Sequence, residues 1–93
     1  MRELEASARR WRGEAYLVER DFLHAEAELS RAASQARDIG RVRLQMDAEG
    51  ALARLFEAQN QREAALQHSG TARRIAEDIK KSLVSSGLEA RWA

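Results

Sequence analysis

Apolar and polar positions along the chain follow a helical period almost throughout. From the amino terminus, Leu4, Ala8, Trp11 and Ala15 fall at i, i+4, i+7 and i+11, the spacing of one buried helical stripe, with Leu17 and Val18 near its end. This predicts a first helix over about residues 2 to 19. Asp21 is suited to accept a bond from an orphan backbone N–H, so a second helix is expected from there to Ile39, closed by Gly40 in a left-handed turn. A third helix follows from about 41 to 59, with Leu44, Ala48, Ala51 or Leu52, and Leu55 as its stripe. Asn60 stands three residues before Glu63, the spacing of a reciprocal cap, and predicts a fourth helix from there to about Leu83. Ser85, Ser86 and Gly87 then break the pattern, and Leu88 to Trp92 are expected to form a last turn laid over an open end.

The pattern also repeats. Shifted by forty residues, Leu4 meets Leu44, Ala8 meets Ala48, Ala25 meets Ala65, Ala32 meets Ala72, Ala36 meets Ala76, Asp38 meets Asp78 and Ile39 meets Ile79. Gly13 meets Ala53 and Tyr16 meets Phe56 in the same register. Two helix pairs are therefore expected, residues 1–40 and 41–80, with 81–93 as a cap, all in one domain. The small residues Gly13 and Ala53, paired with Ala25 and Ala65 on the helices that follow, predict close helix contacts.

Composition agrees with helices. Eighteen alanines, no proline, no cysteine and seven β-branched residues make a sheet-rich fold improbable, and the absence of cysteine removes disulfide scaffolds, thiolate metal sites and cysteine enzymes. No apolar run approaches the roughly eighteen residues of a membrane span and no signal peptide opens the chain, so a cytoplasmic protein without a membrane partner is expected. Fourteen arginines against two lysines suggest a GC-rich, bacterial genome.

Candidate chemistry is sparse. A formal charge of +1 attracts no polyanion as a whole, and the basic spot of Arg9, Arg10 and Arg12 is flanked by Glu3, Glu5 and Glu14, so no nucleic-acid partner is expected. His24 and Glu28 have the i, i+4 spacing of metal ligands, but His68 lies on another helix and no metal or other cofactor is expected. No glycine-rich phosphate loop, nucleophile elbow or H-E-x-x-H sequence appears, which argues against catalysis. Trp11 and Trp92 are expected to fill core or cap.

One spacing points to a family. A small residue, two spacers, an aromatic, eight spacers, an alanine, six spacers and a second alanine occur as Gly13, Tyr16, Ala25, Ala32 and again as Ala53, Phe56, Ala65, Ala72. This resembles the tetratricopeptide repeat, in the longer variety of regulatory and signalling proteins, and the stretch Ala36 to Gly40 resembles the junction between its units. Departures are Arg12 where a large apolar residue is usual (Leu52 keeps it), Ser69 opposite Leu29 in the repeat, a missing closing proline, and a period of forty where about thirty-four is usual. The resemblance implies an all-α fold of antiparallel helical hairpins stacked as a short right-handed α-solenoid, four helices plus a C-terminal capping helix. It implies a non-catalytic module that binds a protein, peptide or helix in a concave groove. Groove residues carried over from the family are Ser7, Arg10, Glu14 and Leu17 on the first helix, then Asp47, Gly50, Arg54 and Glu57 on the third. Members that clamp a chaperone's terminal carboxylate carry a lysine and an asparagine where this chain has Arg10 with Glu14 and Gly50 with Arg54, so that ligand is not expected. The alternative is a structural domain that self-associates, for instance as a homodimer, because two repeat units bury little core.

Overall fold

The computed structural model describes residues 2–85. Four helices account for nearly all of them: α1 (Arg2–Val18), α2 (Phe22–Asp38), α3 (Val42–Ala58) and α4 (Arg62–Ser85), with no strand among the described residues. The first three are each 17 residues long. With three-residue turns between them, the backbone repeats every twenty residues while the side-chain pattern repeats every forty.

The turns share one geometry. Arg20, Gly40 and Asn60 are left-handed, at φ 62°, 75° and 60°. In each turn the next residue's N–H reaches back across the helix end, Asp21 to Tyr16 O at 2.9 Å, Arg41 to Ala36 O at 2.8 Å and Gln61 to Phe56 O at 2.8 Å. These are Schellman closures, which satisfy carbonyls the helix leaves open. Only Gly40 adopts this backbone without steric cost. A β-carbon at Gly40 would meet nothing within 4 Å, so Gly40→Ala isolates the backbone term and is expected to lower stability by roughly 1–2 kcal/mol in a denaturant titration. An unchanged midpoint would contradict the left-handed assignment.

Asp21 caps α2 as expected, its Oδ1 accepting the His24 N–H at 3.4 Å. Asn60 does not cap α4. It is the left-handed residue that closes α3, and Gln61 holds the cap position, its carbonyl accepting the Ala65 N–H at 3.0 Å. Asparagine suits both places, and a residue committed to the left-handed region cannot also take the extended backbone of an N-cap. Helix α4 runs unbroken through Ser85, and the expected turn at Leu88 to Trp92 lies outside the described residues.

Adjacent helices pack as antiparallel hairpins. Going up α1 from Glu5 through Arg9 and Gly13 to Tyr16, the partners go down α2 from Gln35 through Glu28 and Leu29 to His24. Helix α3 packs on α2 and α4 on α3, which stacks the second hairpin on the first. The first helices of the two hairpins run side by side and parallel, linked by Glu3 to Arg41 at 3.3 Å and Glu14 to Arg54 at 3.0 Å.

The core lies between α2 and α3: Ala25, Leu29, Ala32, Ala33, Ala48, Ala51, Leu52 and Leu55. Alanines dominate it because the backbones approach closely. A close approach occurs at Gly13 as expected, but its partner is Leu29 and not Ala25: an added β-carbon would lie 2.6 Å from Leu29 Cγ and 2.7 Å from its Cδ2. In the second hairpin the same pair is Ala53 and Ser69, so a small-and-large pair is replaced by two small residues.

The expected buried stripe of α1 is exposed. Leu4 is 72 %, Trp11 64 % and Val18 83 % exposed, and Ala8 and Ala15 are exposed beside them. What α1 buries is Ala6 and Gly13. On α3 the equivalent stripe is covered, because α2 lies against it. No described helix lies against that side of α1, and Trp11 carries the Arg10 guanidinium 4.5 Å above its ring instead of entering the core.

Candidate functional site

Stacking two antiparallel hairpins with α1 and α3 side by side leaves a concave face. A hollow of about 510 Å³ opens there, lined by Arg10 and Glu14 of α1, Met46, Asp47, Gly50 and Arg54 of α3, and Ala72 and Arg73 of α4. Gly50 contributes open space, since a β-carbon there would meet nothing within 4 Å. Five of the eight groove residues expected from sequence, Arg10, Glu14, Asp47, Gly50 and Arg54, thus share one wall. Ser7 borders a neighbouring hollow that also touches Asp47.

Two expected residues lie elsewhere. Leu17 is half-buried against the α2–α3 core, so it is not the apolar spot of the groove. Glu57 is exposed and lines a second hollow with Ala53, Asn60, Arg62, Ala65, Leu66 and Ser69. Met46 supplies the apolar surface instead, and Arg73 adds a cation from α4. Restricting the groove to first helices hid Arg73.

Charges in the hollow are arranged in a chain. Glu14 holds two arginines at once, Oε2 accepting from Arg10 Nη1 at 2.5 Å and Oε1 from Arg54 Nη2 at 3.0 Å. Arg10 Nε is buried without a hydrogen-bond partner. Asp47 and Arg73 make no ion pair among the described residues, although both line the same hollow. The face therefore offers one open anion and one open cation beside a cluster in which two arginines share one carboxylate and a positive charge is left over.

The basic spot on α1 is spent within the protein. Arg9 reaches Glu28 and Glu5, each at 3.2 Å, and Arg12 reaches Glu28 at 2.5 Å, while Arg10 is held by Glu14. Glu28 is drawn below the usual 4.5 first by the Arg12 hydrogen bond and then by the nearby Arg12 and Arg9 charges. Glu5 is drawn below the same value by hydrogen bonds from Gln35 and then Arg9. Lowered folded-state values mean that this stabilisation is fully present above about pH 4.5 and is lost as pH falls through the folded-state values. Thermal melts from pH 7 to pH 3 are expected to show this acid loss, and Glu28→Gln is expected to flatten it; an acid limb that Glu28→Gln leaves unchanged would contradict the assignment.

The histidines take separate partners. His24 Nδ1 lies 2.8 Å from Asp21 with the ring stacked on Tyr16, and His68 Nδ1 lies 2.6 Å from Glu49 with the ring stacked on Phe56. His24 and Glu28 do not converge, and no group of three or more metal-ligating side chains occurs among the described residues. Glu49 and His68 occupy the repeat positions of Arg9 and Glu28, so each hairpin has a polar link at the same place with the acidic partner on opposite helices. No helix among the described residues is long and apolar enough to cross a membrane. Comparison with protein-family models, curated proteins and solved structures finds no match to this chain.

Proposed function

We propose that this chain is a non-catalytic protein–protein interaction module of the tetratricopeptide kind, binding a peptide or helix along the concave face as a cytoplasmic part of a regulatory or signalling system. The observation that supports it is the hollow that brings Arg10, Glu14, Asp47, Gly50 and Arg54 together with Met46 and Arg73. Such a face suits a ligand with both charge signs: an acidic group for Arg73, a basic group for Asp47, and an apolar contact on Met46. Apolar contact supplies affinity and the charges set register. The test is capture of a partner from lysate followed by calorimetric titration against the wild-type chain, Arg54→Glu and Arg31→Glu. Loss at Arg54 with binding retained at Arg31 is expected; equal loss at both would mean a diffuse charge effect, and loss at Arg31 alone would move the site to the outer face.

A second reading, a self-associating structural domain, is favoured by one observation. The apolar line along α1 lies open to solvent.

A further inference from the structure

The two ends of the described stack are unlike, and each matches a surface that is paired inside the molecule. On α1, Leu4, Ala8, Trp11, Ala15 and Val18 form an exposed apolar line. Forty residues on, Ala48, Ala51 and Leu55 of the same line are buried under α2. At the other end, α2 turns Leu29 into the core against α3, whereas Ser69, the α4 residue at the same repeat position, has no described helix over it. A hollow of about 630 Å³ opens there between α3 and α4, floored by Ala53, Ala65 and Ser69 and edged by Leu66.

We propose that a second copy of this chain lays its α1 on this open α3–α4 face, repeating head to tail the contact that α3 makes with the first hairpin. The proposal rests on the self-association reading and specifies its geometry. Antiparallel register about the Gly40 turn places Leu29 across from Ala51, both in the core. The same register between copies places Ser69 across from Trp11. Sizes complement in both cases, with a large residue on α2 facing a small one on α3, and a small one on α4 facing the large Trp11. Shape matching of this kind is what packed helix interfaces require.

Charge complements as well. Within the chain, Glu14 of α1 holds Arg54 of α3 at 3.0 Å. Between copies, the same relation sets Arg54 of one beside Glu14 of the next, again opposite in sign, so the row alternates along the stack. A contact between unlike surfaces does not close on itself, and copies add one after another. The concave face stays open in this arrangement and lengthens with each copy.

Sedimentation velocity of the full chain, from about 10 μM to about 1 mM, covers the range expected for a weak interface. The average mass is expected to rise past the dimer without reaching a plateau. Trp11→Lys blocks one end and Ser69→Glu, at the α4 position set across from Trp11, the other; Trp11 is exposed and Ser69 half-buried, and matching circular dichroism confirms that each variant folds. Each variant alone is expected to associate at least tenfold more weakly, yet an equimolar mixture is expected to form a dimer and stop there, since one usable end of each kind remains. If Trp11→Lys loses helicity, Ala15→Lys, exposed and at the repeat position of the buried Leu55, replaces it. Association abolished by Trp11→Lys and untouched by Ser69→Glu would mean an α1-to-α1 dimer, overturning the head-to-tail geometry while self-association survives. A wild-type chain that stays monomeric throughout would overturn both and leave the α1 line to a foreign helix.

Discussion

Gly13→Leu is expected to lower the stability of this protein by about 3 kcal/mol, the upper part of the range for overpacking a filled core. The first atom of any side chain at Gly13 falls 2.6 Å from Leu29 Cγ, and Leu29 is fully buried with core on its other side. Such a loss is a large share of the roughly 5–15 kcal/mol that holds a domain together. Gly13→Ala is the more searching variant, because two effects oppose. Alanine in a helix gains about 1 kcal/mol over glycine, while the contact with Leu29 costs about 1–3 kcal/mol. The contact is expected to win, giving a net loss. In a Leu29→Ala background the side-chain contacts are gone and only the backbone N of residue 29, at 3.3 Å, remains close, so Gly13→Ala should lose most of its penalty and stabilise by up to about 1 kcal/mol. Denaturant titrations of the four proteins form the cycle. Additive changes would show that residues 13 and 29 do not meet, and the repeat register would fall with them.

The second large effect is on binding. Arg54→Glu removes one of the two cations that hold Glu14 and adds a carboxylate to a hollow that already contains Asp47. A partner whose basic group sits by Asp47 and whose acidic group sits by the arginines then meets the wrong sign at the centre of the face, and affinity is expected to drop by about 1–3 kcal/mol. The fold should survive, since the Arg54 side chain is 60 % exposed and exposed ion pairs contribute little to stability. Arg31→Glu is the control. Arg31 is exposed on α2 and borders a shallow hollow with Ser30 and Ser34, away from the concave face. A calorimetric difference between the two reversals separates a site from a general response to charge.

Much of the fold was legible because local rules acted alone. Asp21 and Gly40 each have one strong preference, a cap and a left-handed turn, and both took it. Asn60 has two preferences of similar strength, and the choice between them depended on the backbone bonds made by Gln61 and Phe56, which spacing does not show. The α1 stripe failed for another reason. Helical periodicity identifies an apolar face but not whether a neighbour covers it, and the repeat copied onto α1 a face that only α3 has a partner for. The same limit explains the site. Arg10, Glu14, Asp47, Gly50 and Arg54 were placed together by the forty-residue register, since parallel first helices bring equal positions side by side. Leu17 turned into the seam where α1 meets the core, and Met46 and Arg73 entered from positions the register assigned to no wall. Gly13 was legible because a glycine in mid-helix is costly unless something needs its space.

The account depends most on the concave face being where a partner binds. Amide shift mapping of the isotope-labelled chain, titrated with the partner fragment recovered by capture, reads that face residue by residue. Large shifts at Arg10, Glu14, Asp47, Gly50, Arg54 and Arg73, with Arg31 and Ser34 unmoved, are the predicted result. Shifts centred on Arg31 and Ser34, with Asp47 and Arg54 unmoved, would contradict it.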